Sequence, residues 1–206
     1  MFITFEGLDF CGKSTQVELL EKFFLDKKKE VKIIREPGGV KISEEIRKIL
    51  LDNKNQNMFF KTELLLFAAS RAQLVNEIII PFLDNDVVVI SDRFHDSSIA
   101  YQGFGRGLDL EFVISLQNYA IGKAVPDLTF FIDLPISEIN KRKEKNENIK
   151  LDRIEISNQN FYEKVREGYN YLTDKDKRFV KINGLNSIDD IHREIISIIN
   201  KNLKVA

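Results

Sequence analysis

Five short apolar runs punctuate the chain, and helical patterns separate them. The runs are Phe2-Ile3-Thr4-Phe5, Val31-Lys32-Ile33-Ile34-Arg35, Val87-Val88-Val89-Ile90, Leu128-Thr129-Phe130-Phe131-Ile132 and Phe179-Val180-Lys181-Ile182. Their length and their β-branched and aromatic content predict strands. Val17, Leu20 and Phe24 recur at helical spacing after the first run. The longest helical pattern extends from about Thr62 to Leu83, and Pro81 need not break it if the last turn bends. A closing helix is expected from Ser187 to Leu203, with Ile188, Ile191, Ile195, Ile198 and Ile199 on one face. Strands alternating with helices predict an α/β fold, in which helices cover both faces of a parallel sheet through right-handed crossovers. No internal repeat, interdomain linker or heptad array interrupts the pattern. The 206 residues read as one domain with a sizeable core and room for a small mobile insertion.

Composition narrows the class. Hydrophobic residues make up 43% and charged residues 31%, the balance of an ordinary globular chain. With 31 Lys plus Arg against 32 Asp plus Glu, the net charge is −1. A nearly neutral chain is not a bulk nucleic-acid or membrane binder, so any positive site must be local. The single cysteine, Cys11, excludes an intrachain disulfide and argues for a reducing compartment. Two histidines and one cysteine cannot build a standard structural zinc site. The N-terminus enters a strand without a basic leader, and apolar stretches such as Ile78 to Leu83 are too short to span a bilayer. A soluble cytoplasmic protein is expected.

Chemistry enters at Gly7-Leu8-Asp9-Phe10-Cys11-Gly12-Lys13-Ser14, which fits G-x-x-x-x-G-K-[ST]. This pattern is a phosphate cradle. Its backbone N–H groups turn inward on phosphate oxygens, the Lys reaches the β- and γ-phosphates, and the Ser hydroxyl sits on Mg²⁺. A strand precedes it, and the helix that begins near Thr15 adds the positive end of its dipole. A plain glycine-rich turn would lack that context. ATP and Mg²⁺ are the expected ligands, with Gly7 to Thr15 around the phosphates.

Four clusters sit where an open parallel sheet puts its site, beyond the carboxyl ends of the strands. Arg35-Glu36-Pro37-Gly38-Gly39 is a constrained turn that could present Arg35, or a surface Arg on a plain turn. In Ser91-Asp92-Arg93, Asp92 is a candidate partner for Mg²⁺ or its waters and Arg93 could bridge two phosphates; a structural salt bridge would also account for the pair. Phe67 and Arg71 are four apart on one helical face, suited to a planar base, although a core Phe is the commoner case. Ser97 to Gly103 offers hydroxyls and the Gln102 amide, which suit reading a base edge or capping a helix.

Charge separates the reactions these clusters could serve. Arg35, Arg71 and Arg93 converge with Arg142 and Arg153 of a basic segment, Lys141 to Arg153. That segment is either a solvated helix end or a lid over phosphates. Arginine suits bidentate phosphate contacts. A phosphate-monoester acceptor, with a second pKa near ~6, is mostly dianionic at neutral pH and needs no general base. A hydroxyl acceptor would want one. The arginines therefore point to a nucleoside monophosphate kinase. Glu36 could still act as a base, which keeps a deoxynucleoside kinase acting on thymidine open. A nucleotide-binding module without turnover is disfavoured by Lys13 and Ser14, and a GTPase switch by the absence of an N-K-x-D sequence.

Together these blocks resemble the thymidylate kinase family. Phe5 to Gln16 match F-E-G-x-D-x-x-G-K-[ST]-[ST]-Q, and Arg35 to Gly39 match R-E-P-G-G. Leu65 to Gln73 match L-L-F-A-A-x-R-A-Q, Asp92 to Gly103 match D-R-x-x-x-S-x-x-A-Y-Q-G, and Leu151 to Glu155 match L-D-R-I-E. The resemblance implies γ-phosphoryl transfer from ATP to dTMP on a P-loop fold, with five parallel strands in the order 2-3-1-4-5, usually as a homodimer. By the same resemblance Asp9 would hold the deoxyribose 3′-hydroxyl and Phe67 would stack on thymine. Arg71 with Ser98 or Gln102 would read its edge, and Tyr101 would crowd the 2′ position. Arg35 and Arg93 would clamp the acceptor phosphate, and Ser14 with Asp92 would hold the metal. Lys13, Arg93, Arg153 and Asp9 would be catalytic. The chain departs from the family at Phe10 and Cys11, where relatives often carry Gly or Arg followed by a small residue. With no Arg in the phosphate loop, it resembles the branch that places a catalytic Arg in a lid, here about 141–155, with Arg153 closing on the transferring group. Adenine contacts are expected near Asn183.

Overall fold

The central strand β1 (Phe2–Glu6) buries all five of its side chains. In the computed structural model, which describes residues 1–145 and 151–202, β2 (Val31–Arg35) and β3 (Val88–Asp92) lie on one side of it. β4 (Leu128–Asp133) and β5 (Phe179–Asn183) lie on the other, giving a parallel sheet in the order β2-β3-β1-β4-β5. This is the expected α/β architecture. The register sets Phe5 and Arg35 both opposite Asp92, and Glu6 opposite Phe131, so the carboxyl ends of the strands form one edge. Residues 146–150 of the expected lid and Leu203 of the expected last helix lie outside the described residues.

Strand alternation sends neighbouring side chains to opposite faces. Ile3, Phe5, Val88, Ile90 and Phe130 join an apolar cluster with Val17, Leu20 and Phe24 of α1 (Lys13–Asp26) and Ile191, Ile195 and Ile199 of α9 (Ile188–Asn202). Across the sheet, Phe2, Ile34 and Val89 pack with Leu74, Phe94 and Ile121. The helices between these strands are α2 (Lys41–Leu51), α3 (Phe60–Leu74), α4 (Ile80–Asp84), α5 (His95–Ser98), α6 (Leu110–Ile121), α7 (Ile136–Glu144) and α8 (Gln159–Lys175).

Pro81 does not break the longest helix. A π-helical turn, Val75–Ile79, links α3 to α4 directly upstream of Pro81, so the chain departs from regular α-helical hydrogen bonding just where the proline lacks an N–H. Phe60 to Asp84 is thus one continuous helix of 25 residues, long and apolar enough by length and composition to cross a membrane. That corrects the expectation drawn from uninterrupted apolar runs alone. The helix nevertheless carries buried Glu63 and Arg71 in ion pairs and packs on α2 and α6, as a core helix does. A second π-helical segment, Ile99–Gly105, follows α5 and lies against α8.

Gly168 permits that last contact. A Cβ there would stand 2.9 Å from Ala100 Cα and 2.9 Å from Phe104 Cδ2. Gly168→Ala should therefore overpack this junction and destabilise the fold by about 1–3 kcal/mol. Urea unfolding of the two proteins measures it.

Candidate active site

The phosphate loop leaves β1 through Gly7, at φ 138°, and enters α1 through Gly12, at φ 102°. A Cβ at Gly7 would meet the Ile132 carbonyl at 2.6 Å, so no larger residue fits there. The first N–H groups of α1 are left for an anion at its N-terminus. Lys13 folds back across the loop and donates to the Leu8 carbonyl at 2.9 Å and the Gly7 carbonyl at 3.2 Å. Ser14 Oγ donates to Asp92 Oδ2 at 2.6 Å. The two residues expected to hold Mg²⁺ are thus in contact, and together they form the hydroxyl and carboxylate oxygen set that a hard cation prefers. Cys11 is buried in the loop wall, where burial pushes its thiol pKa up, so it is not a reactive thiolate.

Two cavities meet here. The first, of about 580 Å³, is bordered by Asp9, Phe10 and Gly12 to Thr15, with Arg35, Asp92, Arg93 and Arg142 around it. The second, of about 160 Å³, is bordered by Phe67, Arg71, Ser97, Ser98, Tyr101 and Gln102. Asp9, Glu36, Arg47, Arg93 and Glu155 border both. The sequence-predicted residues therefore converge, with exceptions. Gly7, Leu8 and Cys11 lie behind the cavity wall, where Gly7 and Leu8 supply carbonyls to Lys13.

Arg93 stands at the seam. Its backbone is left-handed, at φ 69°. Its guanidinium pairs with Asp9 at 2.5 Å and donates to the Gly7 carbonyl at 2.8 Å, to Tyr101 at 3.2 Å, and to Ser97 and Tyr169 at 3.3 Å. Burial alone would raise the Asp9 pKa, but Arg93 and Lys13 outweigh it and hold the carboxylate ionised. Behind Arg93, buried Glu6 accepts from Phe94 N at 2.8 Å, Ser97 Oγ at 2.6 Å and Tyr169 at 2.8 Å.

Arg71 is fully buried. Its Nε donates to Glu36 at 2.7 Å and its head group to Ser98 at 3.0 Å, and it is further held by Gln117 and the Phe94 carbonyl. Glu36, the residue that kept a hydroxyl acceptor open, is engaged in fixing Arg71. Arg35 is half exposed, pairs with Glu44 at 3.0 Å and borders only the first cavity. Arg47 was missed by sequence reasoning. It donates to the Pro37 carbonyl at 2.7 Å and reaches both cavities. The signal was present in α2, where Ser43, Arg47 and Leu50 fall four and three apart on the inner face.

Arg153 requires a correction. It borders neither cavity; it is 5% exposed, ion-paired with Glu63 at 2.7 Å, and donates through Nε to the Leu50 carbonyl at 2.8 Å. Glu63 is fully buried, and without cationic partners its charge would be left uncompensated in the interior. From the same basic segment, Arg142 and Lys145 border the phosphate cavity instead, and Arg142 donates to the Phe10 carbonyl at 3.2 Å. Arg142 also donates to the carbonyl of Gly184, next to Asn183, at 3.3 Å.

A family model described as thymidylate kinase matches residues 5–195. The thymidylate kinase of Acholeplasma laidlawii is 50% identical over 204 residues, covering 98% of this chain and 100% of that protein. That of Kosmotoga olearia is 46% identical over 197 residues, covering 95% and 93%. The crystal structure of thymidylate kinase from Ehrlichia chaffeensis is similar at a TM-score of 0.78 and 34% identity, covering 97% of this chain and 98% of that one.

Glu6 yields a pH prediction. Burial, with Asp96 nearby, raises its pKa from 4.5 to about 7 against the opposing pull of Arg93. The folded chain therefore holds a proton that the unfolded chain releases above about pH 4.5. Its contribution to stability is complete below about pH 4.5 and is lost as pH rises through about 7. Glu6→Gln removes this titration. Relative to the parent, the variant should gain about 1–3 kcal/mol between pH 5 and pH 8. Urea unfolding at the two pH values measures it; a pH-independent difference would mean that Glu6 titrates as a free carboxyl.

Proposed function

Because the chain belongs to the thymidylate kinase family, we propose that its two joined cavities seat the donor and acceptor of that reaction head to head. The enzyme transfers the γ-phosphoryl of ATP to dTMP, giving dTDP and ADP on the route to dTTP, with Mg²⁺ as cofactor. The observation that carries the assignment of residues is the seam: Arg93 and Asp9 border both cavities, one built on the phosphate loop and the other on Phe67, Arg71 and Gln102.

In this reading the triphosphate lies in the first cavity. Lys13 leaves its loop carbonyls for the β- and γ-phosphates. Ser14 and Asp92 would hold Mg²⁺, which when bound neutralises charge on the phosphates. dTMP lies in the second cavity, where Phe67 stacks on the base and Arg71 with Ser98 and Gln102 reads its edge. Tyr101 crowds the 2′ position and Asp9 holds the 3′-hydroxyl. Arg93 grips the acceptor phosphate, assisted by Arg47 and, from the first cavity, Arg35. Arg142, rather than Arg153, stands over the transferring group. A dianionic acceptor needs no general base, so this chain contributes position and positive charge. In a single kinase domain, Arg142 and Lys145 mark the described edge of a lid over the phosphates.

A homodimer is supported by the outer face of α3 and α6, which pack together. Leu65 is 54% exposed, Phe112 56% and Tyr119 87%. Exposed apolar side chains gathered on one helix pair mark an interaction surface. A kinase acting on free nucleotides and carrying one cysteine fits the cytoplasm.

ADP release measured with dTMP and with thymidine should show turnover with the first only. Arg93→Met should lower kcat/KM for dTMP by about 10²–10³-fold. Turnover with thymidine alone would move the acceptor assignment, and an unaffected Arg93→Met would remove Arg93 from the seam. By sedimentation velocity, Leu65→Glu should turn a dimeric parent into a monomer; a parent already monomeric would reject the dimer.

A further inference from the structure

Glu63 lies on α3, fully buried and outside both cavities, and three side chains close around its carboxylate. Gln102 Nε2 donates to Oε1 at 3.0 Å. Arg106 donates to Oε1 at 3.2 Å and to Oε2 at 3.3 Å, and Arg153 pairs with Oε2 at 2.7 Å. Burial pushes this carboxyl upward, but Arg106, the Gln102 amide and Arg153 outweigh it and hold its pKa below the usual range. Glu63 is therefore ionised at neutral pH and can only accept hydrogen bonds. A side-chain amide against an obligate acceptor has one stable orientation, with its NH₂ toward the carboxylate and its carbonyl oxygen away. Gln102 borders the second cavity, and among the described residues nothing donates to its Oε1.

We propose that Glu63 is a positioning residue for base selection, because it holds the Gln102 amide so that Oε1 faces the acceptor's base as a hydrogen-bond acceptor. The inference rests on the reading that this cavity seats the base of dTMP. A matching donor stands beside it. Ser98 Oγ accepts from Arg71, which can only donate, so the Ser98 O–H remains to donate. An acceptor beside a donor complements a pyrimidine that carries N–H at position 3 and C=O at position 4, as thymine and uracil do. Cytosine reverses both: N3 accepts and N4 donates. It would set lone pair against lone pair at Gln102 and leave buried groups unpaired, the arrangement that discriminates most strongly between similar substrates. Arg153 thereby gains a place in the enzyme, as one of two arginines that keep Glu63 charged.

The test is kcat/KM for dTMP, dUMP and dCMP in the parent and in Glu63→Gln. The substituted amide keeps its oxygen between Arg106 and Arg153 and turns its NH₂ to Gln102, which must then rotate and offer its own NH₂ to the base. The preference for dTMP over dCMP should fall by about 10²-fold or more. dUMP should decline in step with dTMP, because the two share one edge. Three activities that fall together, with the ratio intact, would overturn the inference and leave Glu63 a structural residue. Should the single variant fail to fold, E63Q/R153M retains the net charge of the cluster and carries the same expectation. Gln102→Met separates the two layers. If it leaves the ratio intact, Gln102 does not read the base and both readings fall. If it collapses the ratio while the Glu63 variants do not, only the role of Glu63 falls.

Discussion

The guanidinium of Arg93 is held where two cavities meet, and much of the surrounding polar structure keeps it there. A charge so deeply placed must be surrounded by acceptors, or its desolvation would outweigh what it contributes. Asp9, the Gly7 carbonyl and the hydroxyls of Tyr101, Ser97 and Tyr169 supply them. These groups come from the phosphate loop, α5 with its π-helical extension, and α8. Elements that wall the two cavities are thus bound together by the residue at their seam. The left-handed backbone at Arg93 fits the same picture, since strained conformations persist where the surroundings over-determine them.

Around the cavities the polar interior repeats one arrangement, in which a buried acidic side chain orients a group at or beside a cavity. Glu36 fixes Arg71, Glu63 fixes Gln102, and Glu6 fixes Ser97 and Tyr169, which touch Arg93. Such pairs are weak sources of stability. Their return is geometric, because a donor or acceptor locked by its neighbour presents one face to a ligand and reorganises little when the ligand arrives.

The fold was largely legible in the chain. Five β-branched and aromatic runs became the five strands, and the spacing of Val17, Leu20 and Phe24 gave a buried face of α1. The phosphate loop, Asp92, Arg93, Phe67 and Arg71 were readable because local motifs carry their chemistry with them. Pro81 was harder, since only a π-helical turn upstream shows how the helix continues past it. Arg47 left a faint trace in helical spacing.

Arg153 and Glu63 left none. A basic segment reads equally well as a lid over phosphates or as a surface, and the carboxylate that captures Arg153 is 90 positions earlier in the chain. By itself, then, the sequence determined the strands, the phosphate cradle and the charge that a nucleotide requires, because each depends on neighbours within a few residues. The partner of each arginine, and hence which arginines face ligand and which only hold another side chain, was decided by the tertiary structure, because low-dielectric burial makes pairing obligatory and only the folded chain brings the partners within reach.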